Sequence, residues 1–317
     1  DTVRVGLKSV CKNVASASIG VWELQIGMQK GDGFQRGGVI TSSGLFTARP
    51  AVGDYIAVDK TMDCADALDM ANDMKKSGLD TYAAYLSGGD WTVYVKDASV
   101  SAVEAAADEN ASRVSFEGVA ITGGEAPVLV PENAVMMGGN VADTFKLNSM
   151  PYRGMLTFSV NGSSMTGVNI IGLEEYLYGV VPSEMPKSYD AEALKAQAVA
   201  ARTYAMTKLG AHTGSGYQLC DTTACQVYKG YSNEADATTA AVDATAGEVA
   251  CYNGSPIEAV FSASTGGYTE SSENVWNTAV PYLRAVSEPG EYGDNSWTKT
   301  LTLDELTALL QAKGENI

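Results

Sequence analysis

Residues 179–186 read GVVPSEMP and place one carboxylate, Glu184, between Pro182 and Pro186 at the end of an apolar run. The prolines restrict φ on either side of it, and Val180, Val181 and Met185 exclude water, which favours a carboxyl group that keeps its proton. A glutamate so placed suits general acid and base work. The same eight residues also read as a helix N-terminus whose carboxylate is satisfied by backbone N–H groups. On the octapeptide alone that cap is the simpler account.

Lys195 and Arg202 lie seven residues apart on the helix-type stretch that follows, so they share a face, opposite the small-residue stripe of Leu194, Ala198, Ala201 and Ala205. Glu192 is placed to pair with Lys195 at i, i+3, and a solvated basic face is the commoner outcome of such spacing. Further on, SASTGGYTE sets Ser264, Thr265 and Tyr268 around Gly266 and Gly267. Paired glycines allow close backbone approach to a ligand and the hydroxyls can bond sugar oxygens, while a tight turn closing a strand fits equally. With one histidine in the chain, His212, neither a Ser264 nucleophile with a nearby histidine base nor a three-His zinc site is available. Cys220, Cys225 and His212 supply three ligands where a closed structural zinc site needs four, and a Cys220–Cys225 disulfide or two free thiols fit as well. The remaining cysteines, Cys11, Cys64 and Cys251, are expected to be buried free thiols.

The elements that must position these groups follow from patterning. The first 45 or so residues alternate as short strands around the Gly-rich turn GDGFQRGG. From Asp54 the order is β-α-β-β-α-β, with helices in DCADALDMANDMKKSG and SVSAVEAAADEN and strands in DYIAVDK, TYAAYL, WTVYVKD and RVSFEGVAI. Such a split βαβ unit folds as a ferredoxin-like sheet with two helices on one face. A connecting segment with short strands follows. Then come a hairpin over GMLTFSV and MTGVNII, a helix in GLEEYLYGVV that ends before Pro182, and a longer helix over about 191–209 with Asp190 as N-cap. EADATTAAVDATAG and TLDELTALLQAK are further helices, the latter capped by Thr302. The fold class is α+β, with helices packed on antiparallel strands around a groove.

The formal charge of −17, from 38 acidic and 21 basic residues, excludes a phosphate-backbone partner such as nucleic acid and suits a neutral or sugar-like ligand. No run of about 18 apolar residues crosses a bilayer. The chain starts at Asp1 rather than Met, and a removed N-terminal segment is expected, either a signal or anchor or simply a trimmed stretch.

The stretch GLEEYLYGVVPSEMPKSYDAEALKAQAVAARTYAM, with YRGMLTFSV before it and FSASTGGYTESSENVW and PYLRAV after it, closely resembles the sporulation stage II protein D family. The resemblance covers 151–317 and implies a lytic transglycosylase of peptidoglycan, with Glu184 as its acid/base and Lys195, Arg202 and the segment Ser264, Thr265, Gly266, Gly267 and Tyr268 in contact with substrate. It also implies an extracytoplasmic setting, in the wall or anchored to the membrane. Part of the wider family comprises amidase enhancers, so a non-catalytic wall-binding role, with a wall amidase or another remodelling protein as partner, stands beside the enzyme. Relatives carry a histidine before the second cysteine where this chain has Ala224; zinc at Cys220, Cys225 and His212 is therefore open, and no cofactor is required. Residues 54–119 resemble a sporulation-related repeat domain that binds glycan strands stripped of peptides, with Tyr82, Tyr85, Trp91 and Tyr94 as stacking residues. About half of these four are expected in the core, since alternate strand positions are buried. The resulting division is 1–50, strands joining the catalytic domain; 54–119, an inserted module; and 120–317, the catalytic domain.

Overall fold

The computed structural model describes residues 2–139, 144–288 and 298–314. It comprises two compact units, Asp1–Phe261 and Ser262–Ile317, and the break between them falls within the 120–317 segment expected as one domain. The architecture is α+β.

The first unit holds two large, mainly antiparallel sheets. One has seven strands in the order Leu219–Cys220, Thr2–Gly6, Ser164–Gly172, Met155–Asn161, Val135–Gly138, Glu23–Lys30 and Gly33–Thr41. Its centre is the expected hairpin of Met155–Asn161 and Ser164–Gly172, and the chain's opening strand pairs with it from Thr2↔Gly172 to Gly6↔Val168. The stretch 31–38, expected as a turn, turns only at Gly31-Asp32; Gly33–Thr41 is a strand. Its glycines serve close packing instead. A Cβ on Gly38 would lie 2.5 Å from the Trp91 ring and 2.8 Å from the Cys64 sulfur.

In the second sheet Ala111–Thr122, Phe46–Val58, Asp90–Lys96 and Asp80–Ser87 are neighbours in that order. Helices α1 (Cys64–Lys76, capped by Asp63) and α2 (Val100–Ala107, capped by Ser99) pack against these strands. Val128–Pro131, in the expected connecting segment, then pairs with both Asp80–Ser87 and Ala111–Thr122, so five strands close into a ring. Strand alternation sorts the four aromatics. Tyr85 (1% exposed) and Trp91 (0%) belong to the main core under α1, and the indole N–H donates to the Gly37 carbonyl at 2.9 Å. Neither presents a ring to a sugar, which corrects half of the expected stacking set. Tyr82 and Tyr94, on the other face, are half-buried around Tyr55, with ring centroids 6.0 Å from it. The Tyr82 hydroxyl donates to Asp80, and burial, then the Asp80 charge, push its pKa up to about 12.

Five more α-helices are described: α3 (Leu173–Glu184), α4 (Ala191–Thr207) and α5 (Asp236–Ala244) in the first unit, and α6 (Ser272–Trp276) and α7 (Leu303–Ala312) in the second. Asp190 occupies the N-cap of α4 without a side-chain cap bond, whereas Thr302 and Glu305 form a full capping box on α7. Cys11 is buried and Cys64 half-buried as free thiols, but Cys251, in a two-residue strand beside the Asn253-Gly254 turn, is exposed.

Replacing Trp91 by Ala is expected to lower unfolding free energy by about 3–5 kcal/mol, because a fully buried ring leaves a cavity. Tyr94→Ala is expected to lower it by clearly less. Chemical denaturation of both variants checks the assignment of the two faces.

Candidate active site

The α3 helix does not stop at Val181. It runs through Pro182 to Glu184, with Met185 as C-cap. Pro182 cannot make the bond to the carbonyl four residues back, and Ser183 donates its hydroxyl to the Gly179 carbonyl at 2.7 Å. Glu184 therefore sits in a helix's last turn, not at an N-terminus, which removes the N-cap account. The donor it meets comes from elsewhere: the Val227 backbone N–H bonds Oε1 at 2.6 Å. Among the described residues no donor reaches Oε2, and the side chain is half-buried. One oxygen is anchored and the other is open to a ligand.

The segment that supplies this amide is held on both sides. Gln226 is buried; its Nε2 donates to the Ala201 carbonyl at 3.1 Å, and its Oε1 accepts from the Tyr176 hydroxyl at 3.3 Å. Tyr228 donates to Asn169 Oδ1 at 2.9 Å. The segment crosses α3 at Gly179, where a Cβ would lie 2.6 Å from the Tyr228 ring. Beyond it, Asn233 donates to Ser183 Oγ at 2.8 Å, and Glu234 forms a two-pronged pair with Arg153 at 2.7 and 2.8 Å, under the Tyr231 ring. These partners were not found by sequence reasoning. A backbone donor carries no residue signature, and Arg153 and Glu234 lie 81 positions apart.

The structure separates the two cations of α4. Lys195 is partly exposed and pairs with Glu192 at 2.7 Å, as its spacing predicts. Arg202 is 1% exposed, a correction to the shared solvated face. Its guanidinium grips Glu174 through Nε at 2.9 Å and Nη2 at 2.6 Å, and also donates to the carbonyls of Glu248 and Val242. The cause is α5, whose arrival covers the second half of α4. Glu174 is at the start of α3, about 15 Å of helix from Glu184. Arg202 lines a hollow of about 360 Å³ there with Gly172, Met206 and Gly247. It fastens three helices rather than facing a sugar at Glu184.

Cys220, Cys225 and His212 do converge, with all ligand atoms within 4.8 Å of one another. Both cysteines are free, their sulfurs 3.4 Å apart, and His212 Nε2 lies 3.3 Å from Cys225 Sγ. Bond lengths to a tetrahedral zinc would set such donors about 3.5–3.8 Å apart, so the set fits with slight relaxation. Burial and the Lys8 charge hold the imidazole below its ordinary pKa, leaving it neutral. Burial pushes the Cys225 thiol up to about 11; at Cys220 burial also acts upward, but bonds from Thr222 and Cys225 outweigh it and the net direction is down. Ala224 is exposed beside the cluster. Among the described residues no fourth histidine, cysteine or carboxylate joins it.

In the second unit Ser264–Tyr268 forms an exposed turn with Gly266 and Gly267 at φ +71° and +91°. Thr265 donates to Glu288 at 2.6 Å, and Tyr268 bridges to Ser287. An ion pair of Arg284 and Glu273 braces the start of α6.

The first unit is thus an α+β scaffold that pins one carboxylate at a helix end, through an amide two residues after Cys225. Residues 161–252 match the family model described as Stage II sporulation protein. The chain is 50% identical over 130 residues to the amidase enhancer of Bacillus subtilis, covering 41% of this chain and 17% of that protein. It is 39% identical over 163 residues to the Stage II sporulation protein D of the same organism, covering 46% and 48%. An uncharacterized protein of Brachyspira hyodysenteriae is 42% identical over 166 residues, covering 52% and 45%. The chain thus spans about half the length of these relatives, and far less of the amidase enhancer.

Arg202→Ala is expected to destabilise the protein by about 3 kcal/mol, since it strands buried acceptors and a partly buried carboxylate. Lys195→Ala is expected to change stability by under about 0.5 kcal/mol. Urea midpoints of the two variants give the comparison.

Proposed function

We propose that this protein is a peptidoglycan lytic transglycosylase acting on peptide-free glycan, with Glu184 as its single acid/base. The observation that carries the reading is the Glu184 carboxylate, one oxygen fixed by the Val227 N–H and the other open. A glycosidase that uses water needs two carboxyl groups, one of them as nucleophile or to activate the water. Cleavage without water needs one. Glu184 gives its proton to the glycosidic oxygen as the bond from muramic C1 breaks. The resulting carboxylate takes the proton of the muramic C6 hydroxyl as that oxygen bonds C1, closing a 1,6-anhydro ring and restoring the acid.

Lys195 is the cation of α4 suited to touching substituents; the second unit, taken by itself, offers sugar the hydroxyls of its Ser264–Tyr268 turn. Residues 54–119 are read as a ferredoxin-like glycan-binding module, a reading supported by strand order; Tyr82 and Tyr94 are its two candidate stacking rings. A metal ion held by Cys220, Cys225 and His212 would supply a cross-link behind Val227, with no part in bond cleavage. The setting is extracytoplasmic, in or against the wall. The match to a relative named amidase enhancer favours a second reading, in which the same surface binds wall glycan or a wall amidase without cleaving.

On peptide-free strands the wild type is expected to release 1,6-anhydromuramic ends, and Glu184→Gln to lose at least about a hundredfold in rate. Product absent from both proteins, with amidase stimulation intact in both, would leave the second reading in place. For the cluster, protein purified without chelator is expected to carry about one zinc per chain, lost in Cys225→Ser. A metal-free chain whose mass is two protons light would instead indicate the Cys220–Cys225 disulfide.

A further inference from the structure

The chain from Val227 to Asn233 is a strap fastened at both ends to consecutive residues of α3. At one end the Val227 N–H bonds Glu184 Oε1 at 2.6 Å, and at the other Asn233 Nδ2 donates to Ser183 Oγ at 2.8 Å. Between these ties Tyr228 and Gly230 are buried. Gly230 has φ +64°, and a Cβ there would lie 2.5 Å from the Pro151 carbonyl oxygen, so the strap is seated on the Met150–Arg153 strand. Lys229 and Tyr231 are exposed. Each is two positions from a fastened residue, which keeps its Cα within about 7 Å of that residue's Cα.

Tyr231 is held from one side. Its ring lies over the Arg153 guanidinium, 4.6 Å from the centroid, and Arg153 is itself fixed by two bonds to Glu234. The residue is nonetheless 40% exposed. Among the described residues Lys229 is in no ion pair. A stiffened aromatic ring and an uncommitted cation thus stand on one short segment that is tied to the carboxylate.

We infer that this strap is a binding subsite for a muramic acid residue whose lactyl group is a free carboxylate, with the sugar ring stacked on Tyr231 and the carboxylate paired with Lys229; this rests on the glycan-cleaving reading above. A pyranose presents a C–H face that packs on an aromatic ring, and an ammonium is a compact partner for a carboxylate. A stem peptide turns that carboxylate into a neutral amide. The subsite therefore gives a physical reason for preferring peptide-free strands.

The test measures binding of peptide-free strands to the full chain carrying Glu184→Gln, which prevents turnover and keeps a carbonyl oxygen for the Val227 N–H. The same strands are also used after their lactyl carboxylates have been converted to neutral methylamides. Untreated strands are expected to bind about fivefold tighter, the upper end for an exposed ion pair, and the difference is expected to fade at high salt. Adding Lys229→Gln is expected to bring the two affinities together. Adding Tyr231→Ala is expected to weaken both about fivefold to tenfold and leave their ratio unchanged. Tyr231→Leu keeps an apolar cover on Arg153 and is expected to give the same loss should the Ala variant fold poorly. A ratio that survives Lys229→Gln overturns the proposal, as do Tyr231 variants that bind both strands as tightly as the parent. Cleavage is scored separately on the wild type. Binding with these dependences but without anhydro products would sink the transglycosylase reading and keep the subsite, whereas products with binding indifferent to both residues would do the reverse.

Discussion

The bond from the Val227 amide to the Glu184 carboxylate is the constraint around which the first unit's helical half is arranged. A side-chain donor could adjust to a shift of its neighbours, but a backbone amide goes only where its segment goes. The flanking residues accordingly spend their polar groups on fixing that segment. Gln226 satisfies both ends of its amide on α3 and α4, and Tyr228 reaches Asn169, whose Nδ2 donates in turn to the carbonyls of Arg153 and Met155. Asn169 is wholly buried in the central hairpin, so the register of that hairpin is transmitted to the carboxylate through two side chains.

The other end of α3 is fixed by different means. Arg202 and the Gly247 N–H both bond Glu174, so its carboxylate is tied to α4 and to the chain beyond α5. Buried ion pairs contribute little net stability compared with apolar packing, yet they tolerate few alternative arrangements once desolvated. Small residues make this possible: Ala198, Ala201 and Ala205 let the helices approach closely enough for a guanidinium to span three of them. A helix held at both ends presents its last carboxylate with little freedom, which is what preorganised acid and base chemistry requires.

Much of this scaffold was legible in the sequence because its signals are local. Asp63, Ser99 and Thr302 sit where helix caps must, the Ser164–Gly172 strand follows its turn, and Glu192 reaches Lys195. What stayed hidden depends on which distant element covers which face. Spacing put Lys195 and Arg202 on one side of α4 correctly, but only the arrival of α5 decides that one is wet and the other buried. Likewise, alternation divided Tyr82 and Tyr94 from Tyr85 and Trp91 without saying which pair α1 would cover. The ring closure by Val128–Pro131 joins strands far apart in sequence, and nothing in four apolar residues encodes the partner.

Electrostatics pose a further problem for a chain of formal charge −17 that is proposed to act on muramic acid, whose lactyl group becomes a free carboxylate once the peptide is gone. The net charge is the wrong quantity to apply. At physiological salt, charges beyond about 8 Å are largely screened, so the field at the site is set by its immediate neighbours. Three residues after Glu184 stands Lys187, and two residues after Val227 stands Lys229. Both are exposed, and among the described residues neither is in an ion pair, in contrast to Arg153, Lys195, Arg202 and Lys208, which all are. The cations left uncommitted in this half of the unit thus include two that bracket the anchored carboxylate. Under that proposal an anionic glycan would meet only weak long-range repulsion and would find two exposed lysines close in sequence to the anchoring contact.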